Sequence, residues 1–139
     1  VMGLVGAGVY LWRQNGPQFV AGSQKAMTEG NDYGRQTDNQ GCLTESVARH
    51  QKAEGFGELI KTNLFLRACL EASRPTPAFC DDAPKPLEFM KTVEWQTAQC
   101  RRYGLTPQKQ CGQLFQQVQQ FCVQRQLSGA PEEDTSGTP

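Results

Sequence analysis

The chain has 139 residues, a formal net charge of zero, 37% hydrophobic residues and six cysteines. That length holds one small domain with flanking segments rather than two domains. Residues 1–41 balance three basic against three acidic side chains, 42–127 carry eleven against eight, and 128–139 carry three acids alone. No segment has the basic footprint of a nucleic-acid-binding surface.

Residues 1–12, VMGLVGAGVYLW, contain no charge. A bilayer span needs about 20 apolar residues, so the stretch reads as a membrane anchor, the outer end of a truncated transmembrane helix that starts upstream. Tyr10 and Trp12 stand beside Arg13, as aromatics do at the headgroup level. Gly3 and Ala7 make a small-xxx-small pair. A signal remnant and a buried arm are the alternatives. Residues 13–41 shift to Gln, Gly, Asn, Asp and Thr. Too polar to build a core of its own, this segment reads as an extended polar linker or arm. Phe19, Met27 and Tyr33 are its candidate anchors on a partner.

The folded domain is expected over 42–127. Thr44 can cap a helix reaching Glu54, where Gly55-Phe56-Gly57 interrupts it. A helix over 58–73, with Leu59, Ile60, Leu64, Phe65, Leu66, Cys69 and Leu70, is the most apolar and should be central. Arg74-Pro75-Thr76-Pro77 stops it. A helix over 86–103 starts on a proline and ends before Gly104. Phe89, Val93, Cys100 and Tyr103 form its expected core face, and Trp95, roughly 200° from Val93 by helical period, becomes a candidate partner-binding residue. Thr106 and Pro107 open a last helix running to Leu127. Its stripe is Cys111, Leu114, Phe115, Val118, Phe121 and Cys122. The opposite face is almost wholly glutamine, from Gln108 to Gln126, with Gln113, Gln117 and Gln120 as interface candidates. Residues 128–139 read as a disordered acidic tail.

Cys42, Cys69, Cys80, Cys100, Cys111 and Cys122 imply three disulfides and an oxidising compartment. Cys111 and Cys122 stand about 16 Å apart along one helix and cannot bond each other. Counting outward from the turn at Leu105 and Thr106 pairs Cys100 with Cys111. The remaining four are expected as Cys69 with Cys122 and Cys42 with Cys80, or as Cys69 with Cys80 and Cys42 with Cys122. Paired cysteines in helical hairpins resemble the twin-cysteine proteins of the mitochondrial intermembrane space, but the spacing here is one residue longer and prolines interrupt it. The adjacent CC and the CxC of seed albumins are missing, so neither pattern assigns a family.

No CxxC, CxxCH, glycine-rich phosphate loop or GxSxG occurs. His50 is the one histidine and reads as a partly exposed structural residue. Glu54 with Glu58, and Asp81 with Asp82, read as solvated residues and a cap rather than catalytic pairs. No metal or cofactor is expected. The reading is an all-α, disulfide-stapled bundle of three to four helices with an N-terminal transmembrane segment. Its expected role is that of a non-catalytic accessory or assembly subunit of a membrane complex, with the helical head in the periplasm. The alternative is a free periplasmic, secreted or intermembrane-space protein that binds a small ligand or a protein.

Overall fold

The computed structural model describes residues 2–85, 87–105 and 110–129. Five helices follow in order: α1 Met2–Gly34, α2 Asn39–Lys52, α3 Phe56–Ala72, α4 Phe89–Arg102 and α5 Cys111–Gly129. Apart from one isolated bridge between Asp38 and Arg74, no strand pairing occurs among the described residues. The expected all-helical, disulfide-stapled class is found, with one helix more than the sequence reading allowed. The capping residues Thr106 and Pro107, the helix-opening Pro86, Gln108 and most of the acidic tail lie outside the described residues.

The extra helix corrects the extended arm. Residues 13–34 continue the helix begun at Met2. The segment has no core of its own, as its polarity implies, but it borrows the face of α3. Gly22, Ala26, Gly30 and Gly34 recur every four positions, which puts them on one side of a helix. A Cβ at Gly30 would collide with the carbonyl oxygen of Phe65, and one at Gly34 with that of Cys69. Only glycine permits so close a backbone approach. Both contacts keep the same offset along the chain, so α1 and α3 run parallel in register. Since α3 starts at Phe56, residues 2–20 of α1 continue past its end for about 28 Å. Gly6, Ala7, Val9, Tyr10, Arg13 and Val20 are exposed there. No helix among the described residues is long and apolar enough to cross a membrane.

The domain also begins earlier than Cys42. Asp38 caps α2, its carboxylate accepting the Gly41 N–H at 2.9 Å. That bond, helped by the Thr76 hydroxyl and by Arg74, holds the Asp38 carboxyl below its ordinary range against partial desolvation. Beside it, the buried Asn39 fastens the start of α2 to the end of α3. Its N–H donates to the Arg74 carbonyl at 2.9 Å and its amide nitrogen to Ser73 Oγ at 2.8 Å, while its amide oxygen accepts from Thr76 N–H at 3.2 Å. The turn between α2 and α3 needs Gly55 at φ +88°, a left-handed angle that glycine takes without strain.

The core joins Leu43 and Val47 of α2, Phe65, Leu66 and Leu70 of α3, and Leu114, Phe115 and Val118 of α5. The central place of 58–73 and the apolar stripe of the last helix are as expected. His50 is buried rather than partly exposed. All six cysteines are bonded: Cys42–Cys69, Cys80–Cys122 and Cys100–Cys111, with Cα separations of 5.7, 5.6 and 6.0 Å. The pairing across the last turn is as expected, and both expected arrangements of the other four are corrected. Cys42–Cys69 closes the α2–α3 hairpin, and Cys80–Cys122 pins the 73–88 loop to α5. Each cross-link contributes on the order of 3 kcal/mol by restricting the unfolded chain.

The α1–α3 contact is tested by adding one methyl group. Gly30→Ala should lower stability in urea unfolding by about 1–3 kcal/mol, because α1 must move off Phe65. Gly6→Ala meets open space and should leave stability unchanged or raise it by up to about 1 kcal/mol through helix propensity.

Candidate functional site

The described part of α4 turns differently from its expected phase. Thr92, Trp95, Gln96, Gln99, Cys100 and Tyr103 face inward, while Phe89, Met90, Val93 and Glu94 face out. Trp95 is therefore half-buried and packs edge-on against Phe115 of α5, with ring centroids 6.1 Å apart. Its expected place off the core seam is corrected. The mistake came from treating Phe89 and Val93 as markers of the buried side. A stripe of one tryptophan, two glutamines and a tyrosine at spacings of three and four carried the true phase.

The start of α4 and Leu87 just ahead of it leave large apolar side chains outside. Leu87 is 97% exposed, Phe89 70%, Met90 67% and Val93 42%. Scattered apolar residues are normal on a protein surface, whereas a contiguous cluster marks an interaction site. Phe89 and Val93 open onto a groove of about 460 Å³ between α4 and α5. Val123, Thr92, Gln119 and the amides of Gln96, Gln116, Gln120 and Gln124 also line it, and none of the described residues that line it is charged. The nearest ion pair, Lys91 with Glu88 at 3.1 Å, sits at the start of α4. The Lys85 N–H, then Lys91, keep the Glu88 carboxyl below its ordinary range.

One glutamine has a different role from the others. Gln119 is buried, and its amide nitrogen donates to the Pro84 carbonyl at 2.9 Å and to Thr92 Oγ1 at 3.0 Å. It thus joins the loop, α4 and α5 beneath the groove. The expectation that it belongs to an exposed face is corrected, and helical period alone could not separate it from its neighbours. Gln113 and Gln120 are exposed and Gln117 half-buried. Of these three expected interface residues, only Gln120 borders the groove. Gln117 instead borders, with Gln120 and Phe121 of its own helix, a narrow cleft shared with Arg67 and Glu71 of α3.

The arm candidates are scattered. Met27 is exposed over a shallow depression beside Ala68. Tyr33 sits on the edge of the head, its ring 6.0 Å from Phe65. The Phe19 side chain lies outside the described residues. Where α1 leaves the head, a depression of about 350 Å³ is lined by Lys25, Glu29, Arg49, Lys52, Glu58 and Lys61 among others. Arg49 pairs with Glu29 and Lys61 with Glu58, each at 3.3 Å, and with Lys25 and Lys52 the described lining carries four basic side chains against two acidic ones.

All six cysteines are bonded, and none is a free thiol. No group of three metal-ligating side chains assembles among the described residues. No family model, curated protein or solved structure matches the chain.

The contrast among glutamines is measurable. Gln119→Ala leaves Thr92 and the loop without their donor and should cost about 1–3 kcal/mol in urea unfolding. Gln116→Ala and Gln120→Ala should each stay within about 0.5 kcal/mol of the parent protein.

Proposed function

We propose that this protein is a non-catalytic accessory or assembly subunit of a larger membrane complex. Its head docks a partner subunit in the α4–α5 groove, and α1 connects that head to a membrane. The observation that carries the reading is the cluster of Leu87, Phe89, Met90 and Val93, left in water beside a groove with no charge among its described lining residues. Burying one such side chain gains about 1.5–3 kcal/mol, so a partner that covers three of them gains enough to offset much of the cost of association.

The chemistry of the walls specifies the occupant as an uncharged, amphipathic helix of a partner protein. Its apolar flank would meet Phe89, Val93 and Val123, and its polar edges would meet the glutamine amides. A charged flank would lose hydration with no opposite charge to receive it. Three disulfides point to an oxidising compartment outside the cytosol, and a periplasmic head is the simplest form of that setting. The anchor assignment draws on the charge-free run over 1–12 at the outer end of a helix that extends beyond the head. As helix, residues 2–12 span about 16 Å, roughly half the hydrocarbon thickness of a bilayer.

Two measurements test the two halves of this reading. Phe89→Glu and Val93→Glu should leave the melting temperature of the isolated protein almost unchanged, because both sites are exposed, yet abolish co-purification with the complex from detergent extracts. Unchanged co-purification would remove the groove from the interface. Deleting residues 1–12 should release the protein from washed membranes with three disulfides and the same urea midpoint. A deletion that unfolds the head would make the segment part of its core.

A further inference from the structure

On the side of α4 away from the groove lies a second concavity of about 210 Å³, enclosed by α2, the 73–88 loop, α4 and α5. Phe79, Trp95 and Tyr103 supply aromatic walls, and Asp81, Asp82 and Arg102 supply the charged side chains. The walls are fixed from behind. The buried Phe115 holds Trp95 edge-on and Tyr103 at 5.7 Å, and Phe79 rests edge-on against Phe121 at 6.4 Å. The Tyr103 hydroxyl accepts from the amide of Gln40 at 3.1 Å.

The loop that carries the two carboxylates is shaped with equal care. Cys80–Cys122 anchors it covalently. The Phe79 N–H donates to the Thr76 carbonyl and the Asp81 N–H to the Ala78 carbonyl, each at 3.1 Å. Between those two turns Ala78 takes φ +66°, a left-handed angle that is unfavourable for a residue with a Cβ. Such local strain collects where a binding loop must hold one shape. Asp81 and Asp82 are exposed, so neither is needed to hold the head together.

We propose that this cavity binds a small organic ammonium ion, with its charge facing Asp81 and Asp82 and its alkyl groups against Phe79, Trp95 and Tyr103. Among the described residues, two carboxylates against one guanidinium leave a net charge of minus one, which a monocation neutralises. Arg102 already lies over the Tyr103 ring, 5.8 Å from its centroid, so it competes with the ligand for the same aromatic wall. Aromatic faces attract alkylammonium groups. A hard metal ion would instead need more oxygen ligands than two carboxylates provide. This inference does not depend on the groove or on its partner.

The test uses the full-length protein and tetramethylammonium chloride, with sodium chloride as the ionic-strength control, followed through the tryptophan indole N–H signals by NMR. Trp95 lies in the cavity wall, and Trp12, the other tryptophan, is the internal reference. The expected result is a saturable shift of the Trp95 signal alone, absent with sodium chloride. The D81N/D82N protein, with unchanged melting temperature and disulfides, should bind on the order of tenfold more weakly. Arg102→Gln should bind several-fold more tightly, a gain that loss of packing would not produce. No saturable shift, equal affinity in D81N/D82N, or weaker binding in Arg102→Gln would each overturn the assignment.

Discussion

Phe65 is the point at which three helices are held to one another. Its side chain is fully buried, its carbonyl faces Gly30 of α1, and its ring is 6.0 Å from that of Tyr33. The Arg49 guanidinium of α2 lies 3.8 Å from the ring centroid. The same guanidinium pairs with Glu29 of α1 at 3.3 Å and with Glu45 on its own helix at 3.0 Å. A cation over a partly desolvated ring contributes about 0.5–2 kcal/mol. Its larger effect here is geometric, because one side chain sets α1, α2 and α3 at fixed distances. Everything α1 does beyond the head follows from that seat, including the direction in which its charge-free end points.

What could be read from the sequence was local periodicity. The stripe of α5 repeats at spacings of three and four and is buried except for the half-buried Phe121, and α3 buries Phe65, Leu66, Cys69 and Leu70 while Leu59, Ile60 and Leu64 are half-buried. Cys100–Cys111 was legible because a short turn places both cysteines at one level. The same counting applied at Gly55-Phe56-Gly57 puts Cys42 fourteen residues before Phe56 and Cys69 thirteen after it, which is the pairing observed. Carrying the fold-back at Gly55-Phe56-Gly57 on to the 74–86 loop, where Cys80 lies, instead of to the facing turn of α3, conceals it. For α1 the signal was of another kind. Its contact with α3 rests on side chains that are missing rather than on apolar ones, and a hydropathy pattern does not register a row of glycines. Of the candidate site, the glutamine face was visible but the apolar side of the groove was not, since Phe89 and Val93 look like core until the partner helix is placed.

The α4–α5 groove and the aromatic cavity share α4. Thr92, Val93 and Gln96 border the groove, whereas Trp95, Gln99 and Tyr103 border the aromatic cavity. This helix packs chiefly on α5. Its C-terminal end is held covalently at Cys100, and its first turns depend on Thr92 and the side chain of Gln119. Among the described residues, α4, which lines both concavities, is therefore also the helix with the fewest packed neighbours.

The covalent map divides the head in a way that its packing does not. Cys42–Cys69 closes within the first half of the chain, and Cys100–Cys111 nests inside Cys80–Cys122 in the second. No disulfide crosses the segment from Leu70 to Phe79. A chain that emerges N-terminus first into an oxidising space can therefore complete its first cross-link before Cys80 appears, and each half then has only its own cysteines to choose among. Order of arrival thus separates the first cross-link from the other two, whose nested pairing is set by the α4–α5 hairpin rather than by emergence, and a nick between the halves would leave two oxidised fragments joined by packing alone.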